Sequence, residues 1–228
     1  MGRRSHCCKL NEYYLMNLKF KRNSRNLILI IVLSSCSFLG MSQGDTSTIK
    51  AQFALGINSP SSDGFVNDFE SNPINFPTIN LGLQYMMPNG LGAKLDLGFN
   101  RFSNANKTPE FKTNYTRINA QLVYSISRIV SFSNRIVPFV HAGPGMSTIK
   151  PLGNYGQNKT SYLNGMAGLE IHYGVSDKLS IYIDGSYVFG FRDDFNPISS
   201  GFGSFNGNLL TVTIGASISL SGCYYCRD

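Results

Sequence analysis

Few side chains in this sequence are suited to do chemistry, and most fall on one parity of a repeating pattern. His141 and His172 are the only histidines after residue 42, and Glu170 lies two residues from His172. A serine beside one of those histidines would be the start of a nucleophile and base pair. His141, Glu170 and His172 could together approach a zinc ion, but their spacing matches no zinc motif. Lys50, Lys94, Asp96, Arg117, Glu170 and Asp184 supply three bases and three acids on the same parity. Such groups can form a paired network, or a gated path for ions if the pairs exchange. No glycine-rich phosphate loop lies between a strand and a helix, and no helical repeat is present. The expectation is no catalytic residue, no metal and no cofactor.

The elements that must position these residues are strands. From residue 49 onward, apolar and polar residues alternate with period two. Ile49 to Asn58 is the first segment, and Leu91 to Asn100 follows the Pro88-Asn89-Gly90 turn signal. Further segments centre on 78–85, 117–125, 136–147, 163–173, 179–187 and 210–220. Eight segments of about ten residues suit tilted membrane strands. The segment 136–147 is the least regular, with Pro138 and Pro144 interrupting it.

The polar face is rich in Gly, Ser, Thr and Asn, where a water-facing surface would carry Lys and Glu. Small residues fit the narrow lumen of an eight-stranded barrel. The two histidines and the six charged residues then point inward. Three bases and three acids buried together should pair, because an isolated buried charge is strongly unfavourable. On the opposite parity, Tyr85, Tyr124 and Tyr173 fall at one end of the strands, and Phe99, Tyr187 and Phe189 at the other. These are two aromatic girdles at headgroup height. Long polar loops are expected at 60–75, 103–114, 148–160 and 190–207, with shorter turns between. That rhythm predicts an outer-membrane barrel with both termini periplasmic.

Charge excludes a nucleic-acid role. The chain carries +7, but residues 1–42 hold seven of its bases and one acid, leaving only +1 for the remainder. A phosphate-binding patch would persist in the folded domain. Lys19 to Arg25 is a basic n-region, Leu27 to Leu33 an apolar h-region, and Gly40 and Ser42 are small residues flanking a cleavage point before Gln43. Residues 1–42 are therefore expected to be a signal peptide, with Met16 as an alternative start. Residues 43–222 are expected to be the barrel, and 223–228 a short tail. Leu33-Ser34-Ser35-Cys36 resembles a lipobox that would lipidate Cys36, although the apolar stretch runs on through Met41. Cys223 and Cys226 could close a small terminal disulfide loop.

The stretches TNYTRINAQLVYSISRIVSF, VPFVHAGPGMS, VSDKLSIYIDGSYVFGF and GSFNGNLLTVTIGASISL resemble the N-terminal barrel of OmpA-like proteins of Bacteroidetes type. The resemblance runs over roughly residues 48–220. Phe205-Asn206-Gly207 and Gly143-Pro144-Gly145 carry most of it. It implies an all-β, eight-stranded antiparallel up-and-down transmembrane barrel with a charged lumen. It also implies outer-membrane lipid and the barrel-assembly machinery as partners. Many relatives add a C-terminal peptidoglycan-binding domain, an activity not carried over to a chain that stops at Asp228. The expected function is a non-enzymatic structural or surface-interaction role in the cell envelope. The alternatives are a small channel or ligand-binding barrel, and a soluble or lipidated periplasmic barrel. The residues name no extracellular ligand.

Overall fold

Alternation of this length leaves every strand with one apolar and one polar face, and a sheet of such strands must close or leave raw edges. In the computed structural model, which describes residues 48–127, 129, 130, 133, 135–191 and 201–221, the sheet closes. The strands are β1 Thr48–Pro60, β2 Asn75–Met86, β3 Leu91–Ser103, β4 Lys112–Ser125, β5 Ile136–Pro151, β6 Thr160–Gly174, β7 Leu179–Gly190 and β8 Leu209–Ser219. Each pairs antiparallel with its sequence neighbour, and β8 pairs with β1 to complete the barrel. The expected leader, with Met16 and Cys36, and the tail cysteines Cys223 and Cys226 lie outside the described residues.

The exposed face is apolar. Leu122, Leu163 and Ile214 each keep more than 60 % of their surface open, and Phe53, Leu81, Leu97, Ile171 and Val212 share that face. The polar parity is buried instead, Lys94, Asp96, Arg117 and Glu170 included. A soluble domain would not tolerate so continuous an exposed apolar band. In lipid that polarity is the stable one, because a closed barrel satisfies every backbone group internally. Among the described residues, no helix is long and apolar enough to cross a membrane.

The strands are longer than the sequence indicated. They run from 11 residues in β8 to 16 in β5, against roughly 9–11 needed to cross. The excess lies at the loop end. β4 begins at Lys112 and β5 continues to Pro151, inside segments expected to be loops. There the outward residues turn polar (Asn114, Thr116, Thr148, Lys150), so the period-two signal lost its apolar half although pairing continues. The loops shorten accordingly, and the connection 126–135 is longer than either 104–111 or 152–159. The short turn at Pro88-Asn89-Gly90 is as expected: Gly90 takes φ 83°, and Leu91 N–H donates to Asn89 Oδ1 at 3.0 Å.

Pro138 and Pro144 do not break β5. The β4–β5 register is the same on both sides of the point where Ala120 and Gln121 meet Gly143 and Pro144. Gly143 makes the close approach feasible. A Cβ there would sit 1.9 Å from the Ala120 carbonyl oxygen, whereas one on outward-facing Gly185 would touch nothing. Gly143→Ala is therefore expected to destabilise the barrel by about 1–3 kcal/mol. Its heat-modifiable gel band should convert to the unfolded form at a lower temperature. Gly185→Ala should match the unsubstituted chain, and equal midpoints for all three proteins would contradict this account of β5.

Candidate functional site

The lumen gathers the chemistry-bearing residues, in three layers stacked along the barrel axis. The turn-end layer is apolar: Met86, Val123 and Phe139 form a buried cluster with Val137 against it. Lys50 sits next to it, its ammonium 5.1 Å from the Phe139 ring centre.

The middle layer is ionic. Lys94 Nζ donates to Glu170 Oε1 and lies 3.9 Å from Asp96, which in turn pairs with Arg117. Arg117 also donates to Asn80 Oδ1 at 3.1 Å. Glu170 Oε2 contacts His172 Nε2 at 2.9 Å and accepts from Gln52 at 3.3 Å. Asp184 takes His141 as its partner at 2.9 Å and accepts from Ser186 Oγ at 2.5 Å. All these residues are buried. Five of the six charged residues named from the sequence thus share this layer, with Lys50 beside the turn-end layer, and Asp184 pairs with a histidine and not with a lysine or arginine.

Register explains how such large side chains fit. Gly98 stands opposite Arg117 and Gly168 opposite His141. A Cβ on Gly98 would come within 2.6 Å of the guanidinium, and one on Gly168 within 2.6 Å of the imidazole. Glycine on one strand makes room for the ion on the next.

The loop-end layer is a hydrophobic core that the sequence reading missed. Phe65, Phe69, Phe102, Phe111, Tyr115 and Phe205 pack together with Ile149, Met166, Val188 and Leu209. Phe205 is fully buried, with ring centroids 4.7 Å from Phe65 and 5.2 Å from Phe102. The signal was present in the parity. Phe102, Tyr115, Ile149 and Val188 continue the inward positions of Asn100, Arg117, Ser147 and Ser186, so the inward face changes from polar to apolar near the loop ends. The Phe205-Asn206-Gly207 motif serves this layer. Phe205 fills it, Asn206 N–H donates to Gly64 O at 3.1 Å, and a Cβ on Gly207 would strike Gly64 Cα at 2.4 Å.

Two arrangements in the ionic layer have the outline of a catalytic or metal site. Ser180 Oγ lies 3.1 Å from His172 Nδ1, and His172 Nε2 lies 2.9 Å from Glu170, the connectivity of a serine, histidine and acid relay. His172 is stacked on Tyr182 and edge-on to Phe139, and Ser180 is fully buried beneath them. His141, Glu170 and Asp184 each bring one ligand atom within 4.8 Å of the others, with Asp184 in place of the His172 considered from sequence. Their oxygens are already engaged by Lys94, His172, His141 and Ser186. A dication would have to displace the Lys94 ammonium.

The outward aromatics occupy two heights. Tyr85, Tyr124 and Tyr173 are exposed at the turn ends of β2, β4 and β6. Phe99, Tyr187 and Phe189 lie toward the loop ends of β3 and β7, the last two in edge contact at 4.8 Å.

Comparison with known proteins agrees with this geometry. Residues 28–217 match the family described as outer membrane protein beta-barrel domain. No curated protein matches the chain. Among solved structures, Neisserial surface protein A is similar at TM-score 0.53 and 12 % identity, covering 76 % of this chain and 97 % of that one. A major outer membrane protein from Thermus thermophilus is similar at TM-score 0.49 and 10 % identity, covering 77 % and 100 %. The outer membrane enzyme PagL is similar at TM-score 0.41 and 13 % identity, covering 74 % and 98 %.

Glu170 is the centre of the ionic layer, so replacing it tests the layer. Glu170→Gln removes the nearer of the two countercharges on Lys94 and is expected to destabilise the barrel by about 3–5 kcal/mol. The double change Lys94→Met with Glu170→Leu removes both charges and should recover most of that loss. Urea unfolding in detergent measures both, and an unchanged midpoint for Glu170→Gln would contradict the pairing described.

Proposed function

We propose that this chain, which belongs to the outer membrane protein beta-barrel domain family, is a closed, non-enzymatic barrel that holds a loop-bearing surface at the cell envelope. Membership of that family gives it the outer membrane as its location and lipid as its surroundings. The observation that carries the proposal is the three-layer lumen, with paired charges between two apolar closures. A path for ions or small solutes would need both apolar layers to part and the ion pairs to separate. The burial of Ser180, His172 and Glu170 supports a packing role for them, not a hydrolytic one.

In this reading the loop end faces outward and both termini lie in the periplasm. The lengths of 61–74 and 191–208, against the turns 87–90 and 175–178, support that direction. Tyr85, Tyr124 and Tyr173 then mark the periplasmic boundary, and Phe99, Tyr187 and Phe189 the outer one. The barrel-assembly machinery is the partner that inserts the chain. The part played outside is structural or one of surface interaction, a role that the name of the Neisserial surface protein also carries.

Planar-bilayer recording decides between this proposal and a small channel. The reconstituted chain should give no conductance above the protein-free membrane at either polarity. Discrete, reproducible openings would overturn the closed-barrel reading in favour of the channel.

A further inference from the structure

The exposed face of the barrel is not uniform around its loop end. On β7 the apolar and aromatic residues continue to the strand end, with Tyr187, Phe189 and then Phe191 all exposed. On β3, β4 and β5 the apolar band stops at Phe99, Ile118 and Met146. The next outward positions are Arg101, Asn114, Thr116, Thr148 and Lys150, with Lys112 one step further along β4.

Register brings the bases together. Arg101 stands opposite Asn114, and Asn114 opposite Lys150, so the two bases flank one residue at about 10 Å. Lys112 shares their face at about 7 Å from Asn114 along the strand. Arg101 is held in place: its guanidinium lies 5.7 Å over the Phe99 ring centre, and its Nε donates to Asn114 at 2.9 Å. No outward-facing position of β3, β4 or β5 is acidic. Among the described residues, no ion pair involves Arg101, Lys112 or Lys150. The nearest acid in sequence, Glu110, lies on the preceding loop.

Like charges gathered on one sheet face repel one another unless an anion lies between them. These three begin where the lipid-facing band ends, at the height of lipid phosphates. Arg101 lays its guanidinium over the Phe99 ring at the edge of the apolar band, a cation–π contact that holds the charge at the boundary.

We propose that Arg101, Lys112 and Lys150 form a binding site for the phosphate of an anionic lipid in the loop-end leaflet. The bases chelate phosphate oxygens, Asn114 and Thr116 offer neutral hydrogen bonds beside them, and Phe99 packs against the lipid below. Placing that leaflet on the cell exterior rests on the orientation proposed above. The site itself is read in vesicles irrespective of insertion direction, so the two claims fail separately.

The test uses the full chain in phosphatidylcholine vesicles containing spin-labelled phosphatidic acid, with spin-labelled phosphatidylcholine as the neutral reference. Electron paramagnetic resonance reads the lipid immobilised at the barrel wall. The unsubstituted chain should favour phosphatidic acid over phosphatidylcholine, and added salt should weaken the preference. The triple variant Arg101→Gln, Lys112→Gln, Lys150→Gln should reduce it by roughly one to two orders of magnitude. Lys178→Gln, at the turn end, should leave it in place. The heat-modifiable band establishes that each variant is folded. Equal selectivity in the triple variant, or an equal loss in Lys178→Gln, would overturn the site. Abolition of the preference by millimolar inorganic phosphate at constant ionic strength would reassign it to a free anion and overturn the lipid assignment.

Discussion

Charges enclosed in a narrow barrel have no water to fall back on, and the rest of this structure follows from that constraint. A membrane barrel turns its apolar side chains outward, so its polar positions are forced into the lumen. The charged ones among them must then find one another, since a lone buried ion is far more unfavourable than a pair. Lys94 meets this through Glu170 and Asp96, and Arg117 through Asp96. The histidines answer the remaining oxygens, His172 on Glu170 and His141 on Asp184. Glycines across the ladder provide the volume, Gly98 for Arg117 and Gly168 for His141.

Pairing alone would leave a wet channel of fixed charges. The two apolar layers change that. Phe139, Met86 and Val123 close the turn end, and the aromatic core around Phe205 closes the loop end. The second closure is built partly from the loops: Phe65 and Phe69 come from the β1–β2 connection and Phe111 from the β3–β4 connection. The loops therefore fold back on the barrel and share its core, which limits their freedom at the surface. Outside, the same strand ends pass from apolar to basic on β3 to β5. One set of residues thus seals the interior while its outward neighbours face the lipid boundary.

Strand count, closure and the identity of the lumen charges were legible because side-chain parity in a strand is strict. Ile118 and Arg117 cannot share a face. The strand ends were less legible. At Lys112 to Thr116 and Thr148 to Pro151 the outward residues are polar, so alternation no longer distinguished strand from loop. The loop-end core was present as inward Phe102, Tyr115, Ile149 and Val188, but these fall beyond the segments in which alternation marked the strands. Partner choice was not legible. That Asp184 meets His141 depends on both neighbouring registers of β6, which set the heights of β5 and β7. The motif Gly143-Pro144-Gly145 was noticed, yet its reason, backbone contact with Ala120, is a distance and not a pattern.

Paired charges held between two apolar layers should keep solvent out of the lumen. Thiol accessibility measures this directly in a background free of other cysteines. Ser217 is fully buried on the lumen face of β8 beside Gln52, while Ser161 is exposed near the start of β6. A charged methanethiosulfonate reagent applied to the folded, detergent-solubilised barrel should modify Ser161→Cys rapidly. It should leave Ser217→Cys unmodified until the barrel is unfolded. Modification of Ser217→Cys in the folded barrel at a rate comparable with Ser161→Cys would contradict a sealed, ion-paired lumen.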